Sequence, residues 1–124
     1  MIILGNGIDI VNIKRVELSS DKNPGFLARM LTDKEIEYCK RKKNFYEHAA
    51  GRIALKEAAY KAVKDSGITL LWREMEIESS GFSPRLSGDC IANRKLSDKN
   101  ISYSFSISHE KKYAVGSAFF WQDI

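Results

Sequence analysis

Residues 48–61 read HAAGRIALKEAAYK, and this composition predicts the central helix of the fold. Alanine dominates, proline is absent and only one glycine occurs, so we expect the helix to continue to about residues 66–67. Its small and apolar side chains share one stripe, which would let the helix axis lie close to a sheet or to another helix. The stripe consists of Gly51, Ala54, Leu55, Ala58 and Ala62.

The other half of this helix is charged, with Arg52, Lys56, Glu57 and Lys61. Buried charges are costly unless they are paired or bind a ligand. Glu57 and Lys61, one turn apart, would form an ordinary ion pair. That pairing leaves Arg52 and Lys56 as a like-charge pair, whose repulsion a bound polyanion would relieve. Two interpretations therefore stay open, a solvated charged face and an anion-binding site.

The length of 124 residues predicts a single domain over residues 1–124. A net charge of +4 is a mild excess, compatible with nucleic acid, an acidic protein or a phosphorylated small molecule as partner. Two cysteines, Cys39 and Cys90, are too few for a disulfide framework, and a buried or half-buried free thiol is expected at Cys39. No apolar run reaches the roughly 20 residues of a membrane span, and the first residues do not resemble a signal peptide. We expect a cytoplasmic protein with no membrane contact.

The periodicities along the chain predict an α+β fold, a mostly antiparallel sheet with helices packed on one face. Residues 2–11 are predicted as a glycine-rich strand, and residues 101–108 and 113–121 alternate as an antiparallel hairpin. Thr32 and Glu35 form a capping box that opens a helix over residues 33–43. The other expected elements are a short turn or helix capped by Asn12, a loop over 19–25, short helices over 26–31 and 88–98, a strand over 74–79 and a turn over 79–84.

The residues that could carry chemistry are few. The sequence contains no Walker loop, no dinucleotide fingerprint, no His-Glu-x-x-His and no Cys-x-x-Cys. Asp9 stands in the first strand, where it is either a turn or cap residue or a functional carboxylate. Together with Glu57, the cationic helix face and His109, it makes the set that Mg²⁺-assisted phosphoryl chemistry uses, because Mg²⁺ takes one or two carboxylates plus water and phosphate. The spacing does not show that Asp9 and Glu57 meet.

Four segments match one family pattern in the right order. They are Gly-Ile-Asp-Ile at 7–10 with Arg15 downstream, Arg-Met-Leu-Thr-Asp-Lys-Glu at 29–35, Ala-Gly-Arg-Ile-Ala-Leu-Lys-Glu-Ala-Ala-Tyr-Lys at 50–61, and Ser-Ile-Ser-His-Glu at 106–110 followed by Tyr-Ala-Val. This series resembles the motifs of the holo-acyl-carrier-protein synthases, the small bacterial phosphopantetheinyl transferases. The resemblance extends from residue 7 to residue 115.

The resemblance implies a reaction. In that family, 4′-phosphopantetheine passes from coenzyme A to a serine of apo-acyl carrier protein, in the service of fatty acid biosynthesis, and adenosine 3′,5′-bisphosphate is released. Asp9 and Glu57 would be the catalytic carboxylates and the ligands of Mg²⁺, with either Glu57 or a metal-bound water as the base. The family type also implies a homotrimer with active sites at subunit boundaries. Coenzyme A contacts are implied at Arg52, Lys56, Lys61 and His109, and acyl carrier protein contacts at Arg15, Lys22 and Arg29.

Two segments depart from the family pattern. Residues 63–67 read Val-Lys-Asp-Ser-Gly in place of a glycine-rich turn, and residues 81–84 read Gly-Phe-Ser-Pro, without the usual lysine. These changes concern coenzyme A affinity and carrier preference. The alternative function is a basic nucleic-acid-binding module without catalysis, favoured by the basic run at 40–43 and its aromatic neighbours. That alternative leaves Asp9 and Glu57 without a role.

Overall fold

An antiparallel sheet crossed by one long helix forms the frame of the computed structural model, which describes residues 1–79 and 83–124. The strands are β1 (Ile2–Asn12), β2 (Ile77–Ser79), β3 (Pro84–Leu86), β4 (Ile101–His109) and β5 (Tyr113–Gln122). The helices are α1 (Ile13–Lys22), α2 (Phe26–Met30), α3 (Asp33–Lys40), α4 (Phe45–Val63) and α5 (Ile91–Ser97). Strands β1, β5 and β4 pair in that spatial order, and β2 pairs with β3. The α+β prediction is confirmed.

Helix α4 lies unusually close to the sheet because glycines face it. A Cβ atom placed on Gly7 of β1 would overlap the carbonyl oxygen of Ala58, and one on Gly116 of β5 would overlap the backbone of Leu55. A Cβ atom on Gly51 of the helix would lie 2.8 Å from a methyl carbon of Ile107 in β4. Glycine and alanine on both surfaces therefore set the distance between helix and sheet, as the stripe of small residues predicts.

The core is built on both sides of α4. One cluster joins the inner face of the sheet to the C-terminal half of the helix, and its fully buried members include Leu55, Met75 and Phe120. A second cluster packs the N-terminal half against α1, α2 and α3, with Leu31 and Cys39 at its centre. Cys39 is a buried free thiol, as predicted, and burial raises its pKa to about 11.

Several predicted boundaries are wrong in detail. Helix α1 continues through residues expected to be loop and stops only at Asn23, because the following Pro24 disfavours helical backbone there. Helix α3 ends at Lys40 instead of residue 43, and α5 begins at Ile91 instead of residue 88. The strand expected over 74–79 is a 3₁₀ turn at Trp72–Glu74 followed by the short β2. The predicted turn over 79–84 lies partly outside the described residues.

The sheet has one covered and one open face. Ile8 and Ile10 of β1 point away from α4 and are 65% and 63% exposed. Beside them on β5, by register, lie Ser117 and Val115, and the same face continues through Phe119 and Trp121. Among the described residues, no helix is long and apolar enough to cross a membrane.

Candidate active site

The two predicted metal-binding carboxylates come together at the β1 edge of the sheet. Asp9 lies opposite Gly116 in the β1–β5 ladder, and the Nζ atom of Lys61 donates to its Oδ1 atom at 2.8 Å. Burial and the neighbouring Asp9 charge raise the pKa of Glu57, and Lys61 partly offsets this rise. The hydrogen bond to Asp9 in turn raises the pKa of Lys61. Lys61 therefore pairs with Asp9 and not, as the helical spacing predicted, with Glu57.

Two carboxylates suit Mg²⁺ better than they suit a metal ion whose ligands all come from protein side chains. Among the described residues, no group of three or more His, Cys, Asp or Glu side chains could surround an ion. Mg²⁺ commonly takes one or two carboxylates and completes its coordination with water and phosphate oxygens. Burial and, after it, the Asp9 charge raise the pKa of Glu57, and a cation between the two carboxylates would offset both effects by favouring the charged form.

A second cluster of polar side chains lines a cleft of about 200 Å³ near the end of β4. Arg52 is only 2% exposed, and its guanidinium carbon lies 4.1 Å from the centre of the Tyr38 ring. One terminal nitrogen donates to Ser79 Oγ at 3.2 Å, while the buried Nε has no partner within the described part of the chain. The positioned, incompletely paired guanidinium favours an anionic ligand in the cleft.

Two histidines lie on the wall of the same cleft. The rings of His48 in α4 and His109 in β4 are 5.1 Å apart between centroids, and His109 Nδ1 is 3.9 Å from a carboxylate oxygen of Glu47. Burial, followed by the charges of His109, Arg52 and Lys42, lowers the pKa of His48. Sequence reasoning singled out His109 but missed His48. Its position one helical turn before Arg52 was the available signal.

The structure corrects the expectation for Lys56, which it does not place with the other predicted coenzyme A contacts. The Lys56 side chain is fully buried, with its Nζ atom 2.5 Å from Glu35 Oε1 and 2.9 Å from the Met30 carbonyl oxygen. The other Glu35 oxygen accepts the backbone N–H of Ile77 at 2.9 Å. Lys56 is therefore a structural residue that ties α4 to α3 and β2. It is not the uncompensated partner of Arg52.

The predicted partner-binding residues lie elsewhere, on the helices that follow β1. Arg15 and Lys22 are exposed on α1, and Arg29 is exposed on α2. Seven residues, about two turns, separate Arg15 from Lys22, so both lie on one face of α1, together with the 45% exposed Leu18. The basic run at residues 40–43 is exposed as well, and Lys42 Nζ lies 4.8 Å from the centre of the Tyr38 ring.

Comparisons with known proteins agree on one family. The family model of the 4′-phosphopantetheinyl transferase superfamily matches residues 5–118. A holo-[acyl-carrier-protein] synthase of Halothermothrix orenii is 36% identical over 118 residues, which cover 91% of this chain and 93% of that protein.

Solved structures give the same result. The Bacillus anthracis holo-(acyl-carrier-protein) synthase in complex with CoA (3′,5′-ADP) superimposes with a TM-score of 0.77 at 30% identity, covering 99% of this chain and 100% of that one. The Helicobacter pylori holo-[acyl-carrier-protein] synthase in complex with coenzyme A superimposes with a TM-score of 0.73 at 32% identity, covering 94% of this chain and 99% of that one.

Proposed function

The chain belongs to the 4′-phosphopantetheinyl transferase superfamily, among the holo-[acyl-carrier-protein] synthases, and on that basis we propose how its own residues perform the transfer. The reaction moves 4′-phosphopantetheine from coenzyme A to a serine hydroxyl of apo-acyl carrier protein and releases adenosine 3′,5′-bisphosphate. The observation that carries this proposal is the meeting of Asp9, Glu57 and Lys61 at one edge of the sheet. They supply two carboxylates and one cation for a pyrophosphate.

Asp9 and Glu57 hold Mg²⁺ in this proposal, and both belong to the catalytic machinery. When bound, Mg²⁺ would withdraw charge from the pyrophosphate and make the bisphosphate a better leaving group. The serine oxygen forms a bond to the phosphorus that carries pantetheine, while the bond from that phosphorus to the leaving bisphosphate oxygen breaks. The serine proton passes to Glu57 or to a water molecule that the ion would hold, because Mg²⁺ bound to Glu57 would offset the raised pKa of that carboxyl.

The Lys61 ammonium group can donate to a substrate phosphate that binds near Asp9. Its side chain is 47% exposed and its one ion pair in the described structure is to Asp9. A phosphate oxygen near Asp9 would compete for the same ammonium group, so Lys61 can donate to the substrate without leaving its position. We assign it to the pyrophosphate, where charge develops during the reaction.

Arg52 and His109 take a different part of coenzyme A. They line the cleft beside β4, whereas Asp9 belongs to β1, at the opposite edge of the sheet. Arg52 precedes Lys61 by nine residues, which places the two side chains on opposite sides of α4 and about 13 Å apart along its axis. The cleft, with its buried guanidinium, suits the phosphomonoester that coenzyme A carries on its ribose.

A trimer with active sites at the subunit boundaries would bring the two clusters to one ligand. The open sheet face supports an assembly, because Ile8 and Ile10 lie exposed beside Phe119 on a surface that no helix covers in the described structure. Exposed apolar patches of this kind commonly mark protein interfaces. In such an assembly the carboxylates of one subunit would face the anion cleft of the next.

Acyl carrier protein is the proposed second substrate, and α1 and α2 are its proposed docking surface. Arg15, Lys22 and Arg29 present cations, and Leu18 adds an exposed apolar side chain between the first two. This combination fits a small acidic protein. The nucleic-acid alternative has no comparable support, because it gives the carboxylate pair no function.

Intact-mass spectrometry of an apo-acyl carrier protein tests the proposed reaction. We expect incubation with this enzyme, coenzyme A and Mg²⁺ to add the mass of one phosphopantetheine group, and EDTA to prevent the addition. A serine-to-alanine acyl carrier protein serves as the control for the acceptor. Absence of any mass gain with several different carriers would contradict the proposal.

A further inference from the structure

His48 is a titratable side chain in the anion cleft that the proposed reaction leaves without a role. It precedes Arg52 by one turn of α4, and both side chains line the same cleft. The His109 ring approaches it from β4 at 5.1 Å. Three side chains that can carry positive charge, from two different elements, thus surround one small space.

The cleft also contains an unused hydrogen-bond donor. Arg52 is 2% exposed, and its Nε atom is buried without a partner among the described residues. Buried donors without an acceptor are rare because each carries a desolvation cost. An anion in the cleft would supply the acceptor that Arg52 lacks.

The charges that face His48 come from three directions. Helix α4 itself contributes Glu47 and Arg52, β4 contributes His109, and the segment formed by α3 and the residues after it contributes Lys42 and the edge of Tyr38. Only Glu47 is acidic, and its carboxylate lies 3.9 Å from His109 Nδ1. Burial and the surrounding cations together lower the pKa of His48, which favours the neutral ring in the protein without a ligand.

We propose that His48 is a further ligand of the coenzyme A phosphomonoester and that it gains a proton when that phosphate enters the cleft. This inference rests on the proposed function, which brings coenzyme A to Arg52 and His109. A phosphomonoester carries between one and two negative charges near pH 7. Its arrival reverses the local electrostatic balance, since it adds negative charge where Arg52, His109 and Lys42 now repel the imidazolium form.

The proposal fixes the direction of a pH effect. The pKa of His48 is lowered in the free protein, and the bound phosphate raises it. At any pH between the free and the bound pKa, coenzyme A binding is therefore accompanied by proton uptake. Coenzyme A affinity should therefore increase as the pH falls from about 8 towards 6.5, through the range in which histidine responds to its surroundings. Dephospho-coenzyme A, which lacks the phosphomonoester, should show a weaker dependence and no proton uptake at His48.

Calorimetric titration in two buffers of different ionisation enthalpy measures the proton uptake directly. The variant His48→Gln keeps a hydrogen-bonding side chain and a good helix former but cannot be charged. Lys99→Gln, an exposed cation outside the cleft, is the control for the loss of positive charge. Phosphate protonation, with a pKa of about 6, is common to all variants and cancels in the comparison.

We expect His48→Gln to lose about half or more of the proton uptake and to weaken coenzyme A binding about five- to tenfold near pH 6.5, with less than about a threefold change near pH 8. Lys99→Gln should behave as wild type. Unchanged uptake and an unchanged pH slope in a folded His48→Gln, or an equal effect on dephospho-coenzyme A, would overturn the inference while leaving the transfer reaction intact. Failure of the wild-type protein to bind coenzyme A at all would overturn both.

Discussion

Arg52 and Glu57 are five residues apart on helix α4, yet they serve opposite edges of the sheet. Five residues of an α-helix turn the chain by about 140° beyond one full revolution. Arg52 reaches Ser79 and the cleft near the end of β4, whereas Glu57 faces Asp9 in β1. Because β1 and β4 are the two edge strands, one helix supplies two separate clusters of charge.

Removing the Glu57 charge should stabilise the metal-free enzyme and abolish the transfer. The pKa of Glu57 is raised in the folded state, so the unfolding free energy falls as the pH rises through that raised value. At neutral pH, Glu57→Gln removes this unfavourable charge. We expect a higher Tm than wild type without metal, and no further increase with Mg²⁺, because binding stabilises only a protein that holds the ion.

Asp65→Asn provides the control for the Glu57 variant, since it removes an exposed carboxylate shortly after the same helix. It should keep both the transfer activity and the rise in Tm with Mg²⁺. Wild-type turnover in Glu57→Gln, measured by intact mass, would exclude Glu57 as a metal ligand and as the base.

The buried pair of Lys56 and Glu35 should make a large contribution to stability. Lys56→Met leaves the Glu35 carboxylate buried without its cation, and loss of one partner of a buried pair costs about 3–5 kcal/mol of unfolding free energy. Adding Glu35→Gln should recover part of this loss, because glutamine is uncharged and still suits the capping box with Thr32. Urea denaturation measures both variants.

Coenzyme A binding separates the structural role of Lys56 from the contact that the sequence suggested. The double variant, once shown to be folded, should bind coenzyme A within about threefold of wild type, which is well under 1 kcal/mol. A loss on the scale expected for a charged contact, about 1.5–3 kcal/mol, would show that Lys56 reaches the ligand after all.

The close approach of β1 to α4 should tolerate no side chain at Gly7. A methyl group there overlaps the Ala58 carbonyl oxygen, so the helix or the strand must move. We expect Gly7→Ala to lower the unfolding free energy by about 1–3 kcal/mol and to reduce transfer, because Asp9 lies two residues away on the same strand. Gly88→Ala, with open space around it, is the matched control and should be close to neutral.

Charge reversal at Arg15 should weaken the recognition of acyl carrier protein and leave coenzyme A binding unaffected. Arg15 is exposed on α1, an element separate from α4. We expect Arg15→Glu to raise the KM for acyl carrier protein about tenfold, with a weaker salt dependence, and to leave the Kd for coenzyme A unchanged. An unchanged KM would place the carrier elsewhere on the enzyme.

Local patterns in the sequence predict the frame of the site well. The small-residue stripe on α4 indicates a close helix–sheet contact, and Thr32 with Glu35 correctly marks a helix start. Both the small-residue stripe and the capping box are formed by residues that lie close together in the sequence. The end of α1 differs from the prediction because serine and aspartate are frequent in loops yet continue this helix, whose backbone becomes extended only at Asn23, before Pro24.

Pairings between distant segments were beyond local reasoning. Lys61 pairs with Asp9, which is 52 residues away, in preference to Glu57 on its own helix. Lys56 likewise finds Glu35 across the core, and that pairing converts an apparent like-charge pair into a compensated one. Such partners depend on how strands and helices are stacked, which periodicity alone does not determine.

Complementation between two impaired variants tests most directly whether the two clusters form one shared active site. Glu57→Gln lacks the catalytic carboxylate, and Arg52→Ala should weaken coenzyme A binding by about 1.5–3 kcal/mol, so each should transfer poorly at limiting coenzyme A. If subunits mix randomly in a cyclic assembly, roughly one interface in four joins two intact halves, and co-expressed variants should recover about a quarter of the wild-type rate by intact mass. A mixture no more active than the mean of the two separate variants would contradict a site shared between subunits.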